Sequence, residues 1–392
     1  MQAHRLPGIG LALGVLMLLV GCAPTAPVAP AAPVAPTAPP PPPTTAPAPK
    51  PTQVAATAKP AEQAGLRKEG PSFTFKFAAT APESDLSGVG YKYWAQLVDE
   101  RTGGRIKFRF FWAGSLLISQ QQFQGIRDGL ADFGGPSMAT ISGQVADVAP
   151  FEVPFGYPTD LQFTIRFYRE VEPVLNEIFS AGFNQRVVYA SPSTTPDPVT
   201  CRDKFLDSPR AWQGALVRSA GKWQGRTMEL WGAKPVVIDA SEAYTAIQRG
   251  TADCLLFVYN LLDSFKIYEV AKYLTRVDHS INLQVVSANL DAWNQLPPED
   301  QQILIDAGRE TQEYLVQQRS DLVTKTIEKF KAQGVKVCTP PQEELVRLRN
   351  ATDPVLEEIA ALQTEKGRKL QEIARAYRAK VTRWGPSEGD LT

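Results

Sequence analysis

The side chains able to carry covalent chemistry are few in this chain. It holds two histidines, His4 and His279, and four cysteines, Cys22, Cys201, Cys254 and Cys338. His4 falls in the leader described below, so His279 is the sole imidazole left to the mature chain for acid–base work or metal ligation. Nucleophile triads and zinc cages are disfavoured at once, and no Gly-x-Ser-x-Gly, His-Glu-x-x-His or Cys-x-x-Cys spacing occurs. No Asp/Glu run has calcium-loop spacing, and Asp197 with Asp203 is weak support for a cation, so neither a metal nor a cofactor is expected. Lys plus Arg (41) equals Asp plus Glu (41), which leaves no net positive field for nucleic acid or an anionic membrane. An exported enzyme is therefore the weakest reading.

The elements that must position such a site begin after a long preface. Met1 to Cys22 opens with His4 and Arg5 and runs into an apolar stretch, Ile9 to Val20, too short to span a bilayer. It reads as an export signal. Residues 23 to 60 hold fourteen prolines with only Lys50 and Lys59 charged, so they cannot build a core. At ~3.1 Å per residue such a tether would hold a domain up to roughly 100 Å from its anchor. Of the 392 residues, about 320 remain for folded structure, which suits two domains rather than one core.

From Phe73 onward short β-like runs alternate with helical ones, which argues for an α/β architecture. Strands are predicted at Phe73 to Ala78, Ile106 to Trp112, Gln185 to Ala190, Ala215 to Ser219, Pro235 to Ile238 and Leu283 to Ala288. Helices are predicted at Val89 to Arg101 and Gln121 to Gly129. Asp239-Ala-Ser-Glu242 has capping-box spacing, with Glu242 expected to reach back and the helix to stop at Gly250. Past Pro297-Pro298, apolar residues from Leu304 to Phe330 keep helical spacing. One helix of about 33 residues would be roughly 50 Å long and could brace two lobes; two helices broken near Gly308 or Gln318 fit equally. In an oxidising compartment Cys201–Cys254 is the pairing expected if any bridge forms, with three unpaired buried thiols as the alternative.

The order of several motifs is specific. Gly214-Ala-Leu-Val-Arg218-Ser-Ala-Gly221 and Gly232 to Asp253, with Thr102-Gly-Gly-Arg105 to Leu116 and Phe151-Glu-Val-Pro-Phe155 before them, resemble the substrate-binding subunit of TRAP transporters, the DctP family. Tyr268-Glu-Val-Ala-Lys-Tyr-Leu274, His279, Trp293 to Asp300 and Phe330 to Val337 follow in family order, so the resemblance spans about residues 73 to 385. Leu19-Val20-Gly21-Cys22 likewise resembles a bacterial lipobox, in which Cys22 is lipidated; an ordinary secretory leader is the alternative.

The resemblance implies two α/β lobes of the periplasmic-binding-protein type that close like a flytrap, hinge strands, and a long helix spanning both. Lobe I would comprise 73–194 plus 283–322, and lobe II 195–282 plus 323–385. It implies capture of an organic acid and delivery to the membrane subunits of an ion-driven permease; a sensor that presents ligand to a signalling partner is the alternative. Arg218 occupies the slot of the family's carboxylate-gripping arginine, where a planar, permanently charged fork suits a carboxylate. Two departures bear on the ligand. Asp197 stands where many members carry a second arginine, and Phe257 stands at the site of a polar, ligand-contacting Asn. A plain C4-dicarboxylate is thereby disfavoured against a monocarboxylate with an apolar body, or a ligand whose amine or hydroxyl pairs with Asp197. Trp223, Tyr157, Ser137 and Met138, then Ser84 and Asp85, complete the candidate lining.

Overall fold

The computed structural model describes residues 67–157, 161–319 and 321–386; the leader, Cys22 and most of the Pro-rich stretch lie outside them. Eleven strands occur among the described residues: β1 (Phe73–Ala78), β2 (Ile106–Phe111), β3 (Phe133–Gly134), β4 (Gln185–Ser191), β5 (Val199–Cys201), β6 (Leu216–Ser219), β7 (Lys234–Val237), β8 (Cys254–Leu256), β9 (Tyr273–Thr275), β10 (Gln284–Asn289) and β11 (Lys336–Cys338). They form two mixed sheets, ordered β2-β1-β3-β10-β4 and β11-β9-β5-β8-β6-β7, each the centre of one lobe.

In the first lobe, alternation along β1 turns Phe75 and Phe77 into an aromatic core with Trp94, Phe133 and Tyr189. The helix Leu86–Thr102 supplies Trp94, whose buried indole N–H donates to Leu304 O at 3.0 Å, on the helix Pro298–Arg319. That helix lies so close to β4 that a Cβ at Gly308 would come within 2.5 Å of the Tyr189 ring. Its first turn is fixed by Asp300, fully buried in a two-pronged pair with Arg105 at 2.8 and 3.1 Å.

Of the two readings of residues 298–332, the break beside Gln318 is the observed one. Pro298–Arg319 packs on the first lobe, and a separate helix, Leu322–Ala332, packs Val323, Ile327 and Phe330 into the second. The expected boundary of lobe II at 323–385 needs one correction. The helix Glu365–Arg378 returns to the first lobe, where Leu370, Ala374 and Tyr377 join Phe167, Val171 and Tyr168. Its apolar stripe fits the apolar face of the helix Leu161–Gly182, a partner that chain order alone does not reveal.

The predicted strands and helices recur with shifts of one to three residues at their ends. Several short strands were not anticipated: β3, β5, β8, β9 and β11 have two or three residues each, too few to display a period. The capping box is also altered. Asp239 accepts from Ser241 N at 2.9 Å and a single turn of 3₁₀ helix precedes the helix Ala243–Arg249, which stops at left-handed Gly250 as expected. Glu242 is exposed and does not cap.

Cys201 and Cys254 face each other across β5 and β8 and are joined in a disulfide, while Cys338 is a half-buried free thiol. The bridge closes a sequence separation of 53 residues within the second sheet. On loop entropy it contributes about 4 kcal/mol. Alkylation of the unfolded, unreduced protein lacking Cys22 should add one label, rising to three after reduction, and Cys201→Ala with Cys254→Ala should lower the chemical-denaturation midpoint. Three labels before reduction would show that the bridge does not form.

Candidate functional site

β7, β6 and β8 run parallel in the second sheet, so their C-terminal ends open on one crevice, the place where α/β sheets bind ligands. Arg218 stands at that edge on β6 and is 3% exposed. Its Nε–H donates to Ile238 O at 2.9 Å, just past β7, and Nη1–H donates to Leu256 O at 3.2 Å, at the end of β8. The guanidinium carbon lies 4.6 Å from the centroid of the Phe257 ring, in cation–π contact. Burial pulls its pKa down to about 10, and the nearby Asp197 and Asp239 act against that fall, so it remains a cation at neutral pH. Two backbone carbonyls and an aromatic face thus fix the fork, and its Nη2 end makes no hydrogen bond among the described residues.

Two stretches carry the chain between the sheets, 192–198 after β4 and 276–283 before β10. They run antiparallel, bridged at Pro196 and Ile281, and Asp197 N donates to Ser280 O at 3.0 Å. This pairing sets Asp197 and His279 side by side, each 1% exposed, with Nε2 and Oδ2 3.8 Å apart. Neither carboxylate oxygen of Asp197 and neither ring nitrogen of His279 has a hydrogen-bond partner. Burial drives the Asp197 pKa well up, opposed by Arg218 and reinforced by Asp278, and drives the His279 pKa down to about 3. Asp278 itself is occupied: it accepts from Tyr259 OH at 2.8 Å and pairs with Arg276 at 3.1 Å. The strand register links this pair to Arg218, because Phe257 N donates to Pro198 O at 3.3 Å and Leu256 pairs with Val199.

The lobes meet around these groups through side chains that cap one another's helices. Asp239 accepts from Ser119 N at 3.0 Å and from its hydroxyl at 2.5 Å, across from the first lobe. Burial opposes ionisation there, yet the Ser119 and Ser241 bonds and Arg218 hold its pKa below the usual value. Asp85, the N-cap of Leu86–Thr102, accepts from Asn260 Nδ2 at 2.9 Å and Ser264 Oγ at 3.0 Å in the second lobe. Glu152 accepts from Ser142 Oγ on its own lobe and from Gln224 N at 2.9 Å, at the start of the helix Lys222–Trp231. The approach is tight: a Cβ on Gly221 would lie 2.3 Å from Ala139 O.

The structure therefore gathers Arg218, Phe257, Asp197 and Tyr157, whose buried hydroxyl lacks a hydrogen-bond partner and feels the Asp197 charge. Met138 packs with Tyr157 in the first-lobe core, and Ser137 caps the turn ahead of it by accepting from Ala139 N. Trp223 does not join them. It packs with Ala149, Val153, Val355, Leu356 and Ile359, because the first turn of its helix faces the first lobe and not the strand ends. Ser84 is exposed, while Asp85 serves as a clasp. Sequence reasoning gave no site role to His279, Ser119, Asn260 or Glu152. Only the solitary imidazole carried a signal; the others are ordinary polar residues until the lobes are placed.

Two α/β lobes, paired crossovers and a buried guanidinium at strand ends define a bilobal ligand-binding protein. Residues 77–363 match the family described as bacterial extracellular solute-binding protein, family 7 (DctP), and the chain belongs to it. It is an extracytoplasmic solute-binding receptor. It is 23% identical over 269 residues to the 2,3-diketo-L-gulonate-binding periplasmic protein of Escherichia coli, covering 68% of this chain and 81% of that one. It is 25% identical over 327 residues to a monocarboxylate 2-oxoacid-binding periplasmic protein of Nostoc, covering 82% and 87%. The fold matches a TRAP periplasmic solute-binding protein of Desulfovibrio salexigens with bound orotic acid at a TM-score of 0.74 and 21% identity, covering 79% and 99%. The periplasmic ectoine-binding protein of Halomonas elongata matches at 0.73 and 21%, covering 79% and 100%.

Burial raises the Glu152 pKa from 4.5 to about 7 despite its bonds to Ser142 and Gln224. The folded chain thus holds a proton that the unfolded chain releases, a contribution fully present below pH 4.5 and lost as pH rises to about 7. Denaturation at pH 5 and pH 8 should differ by up to about 3 kcal/mol from this group, with the lower stability at pH 8. Glu152→Gln should flatten that difference, and an unchanged pH profile would refute the assignment.

Proposed function

We propose that this receptor captures an organic acid between its lobes, anchors the carboxylate on Arg218, and delivers it to an ion-gradient-driven TRAP permease. The observation that carries the reading is a buried, charged guanidinium held by Ile238 O and Leu256 O with its outer end unused. Such a fork offers parallel donors to a carboxylate and loses little orientation entropy on binding, because its rotamer is already fixed. Family membership and TRAP-named structural neighbours support the transport role. Membership of a solute-binding family supports a role of binding and release.

Ligand that touches Arg218 on one side and the first lobe on the other biases an equilibrium between open and closed lobes. Ser119–Asp239 and Asp85–Asn260 are contacts that only the closed arrangement can make, so they add to closure without touching ligand. Cys22 anchors the receptor to lipid in this reading, supported by the Leu-Val-Gly-Cys22 sequence that ends the apolar leader.

Thermal shift and calorimetry against aliphatic, aromatic and keto monocarboxylates and C4-dicarboxylates test the proposal. Wild type should bind at least one class, with Arg218→Ala at least about 30-fold weaker and Arg218→Lys between the two. Equal affinities in wild type and Arg218→Ala would remove the anchor. Cys22→Ser should release the receptor from the membrane fraction of expressing cells, and continued membrane association would sink the lipid-anchor reading.

A further inference from the structure

One acid at the crevice is not used by a carboxylate anchor. Asp197 is 1% exposed, and both its oxygens lack a hydrogen-bond partner. It stands on the crossover whose register brings it beside the end of β8, where Arg218 is bonded. The two residues feel each other's charge but form no ion pair among the described residues. Each is therefore a buried charged type with its polar end unfilled. Of the five N–H groups of Arg218, Nε–H and one Nη1–H are bonded to carbonyls, which leaves three for a ligand.

Charge balance narrows what can lie between them. Arg218 is the cation, and Asp197 and Asp239 are the carboxylates that act on it. Asp278 is matched by Arg276 and Tyr259, and His279 is a neutral ring at physiological pH. A simple monoanion on Arg218 would bring no cation to Asp197, whose carboxylate form burial disfavours unless a positive group stands beside it. It would also leave the acceptors of Asp197 unfilled, the costlier arrangement for buried groups. A ligand carrying both signs supplies a counter-charge to each end and adds no net charge.

We propose that the ligand is a zwitterionic amino-carboxylate, its carboxylate on Arg218 and its cationic nitrogen on Asp197. The inference rests on the carboxylate reading above and adds a second pole to it. Asp197 accepts two N–H bonds from the nitrogen, and the unpartnered Tyr157 hydroxyl and His279 ring border the same end. The Phe257 face, already against Arg218, covers the apolar body between the poles. Asp197 is thus a specificity-determining residue: where a second arginine would select a dianion, an aspartate rejects one by like charge and selects a cation.

Calorimetry of the full mature chain against matched pairs decides the matter: L-leucine and 4-methylpentanoate, L-proline and cyclopentanecarboxylate, 4-aminobutanoate and butanoate, 4-(aminomethyl)benzoate and 4-methylbenzoate. Within each pair the carboxylate is kept and only the amine is removed. In wild type at least one amino member should bind tenfold or more tighter than its partner. Asp197→Asn should shrink that advantage below threefold while leaving the amine-free partner bound as well or better. The proposal is overturned if every amine-free acid binds as tightly as its amino partner, if no amino member binds, or if the preference survives Asp197→Asn. If Asp197→Asn fails to fold, the wild-type comparison alone still decides. Binding of amine-free acids that Arg218→Ala abolishes would keep the carboxylate anchor and sink only the second pole, whereas binding of amino members unchanged by Arg218→Ala would sink the anchor itself.

Discussion

The structure is organised around a buried guanidinium. Arg218 is removed from water at the ends of three parallel strands, and its position is fixed by carbonyls of residues that belong to the other two, Ile238 beyond β7 and Leu256 on β8. Burying a cation costs several kcal/mol unless its donors are met. The second sheet meets two of them by ending its strands in register, and Phe257 adds an aromatic face. The disulfide between β5 and β8 stiffens the same sheet one strand away from β6. The order of strands in this lobe is therefore the means by which one charged side chain is held rigidly in a dry place.

From that fixed point the remaining geometry follows. The crossover stretches must pass the ends of β5 and β9, and their antiparallel bridging at Pro196 and Ile281 brings Asp197 and His279 together. The two short connections run at the margin of the second sheet, which keeps the acid beside the strand that holds the guanidinium. The helices Pro298–Arg319 and Leu322–Ala332 form a third passage, each committed to its own lobe's core. A break between them suits a hinge better than a continuous rod, which would resist bending along its length.

Polar side chains cross between the lobes beside the apolar cluster of Trp223 with Ala149 and Val153. Asp239 satisfies the start of the Ser119 helix from the other lobe, and the Asn260 amide donates across the lobes to Asp85, the cap of its own helix. Hydrogen bonds to a carboxylate are worth about 1.5 to 3 kcal/mol apiece beyond what water offers. Asp239 links the two systems, because it caps a helix, receives Ser119 and sits in the field of Arg218.

The amino-acid sequence by itself determined the class of the protein. The α/β alternation follows from hydrophobic period, and the family from motif order. All of these are local or linear signals. It also named both cysteines of the bridge without deciding that a bridge forms, since pairing depends on β5 and β8 becoming neighbours across 53 residues. Strands of two or three residues, the packing of Glu365–Arg378 on the first lobe and the retreat of Trp223 into a core were decided by tertiary structure, because short segments carry no period and an amphipathic stripe does not say which partner covers it. The same holds for the pairing of Asp197 with His279. Asp197 and His279 are unremarkable 82 residues apart in sequence and acquire meaning only when two crossovers run side by side and remove both from water.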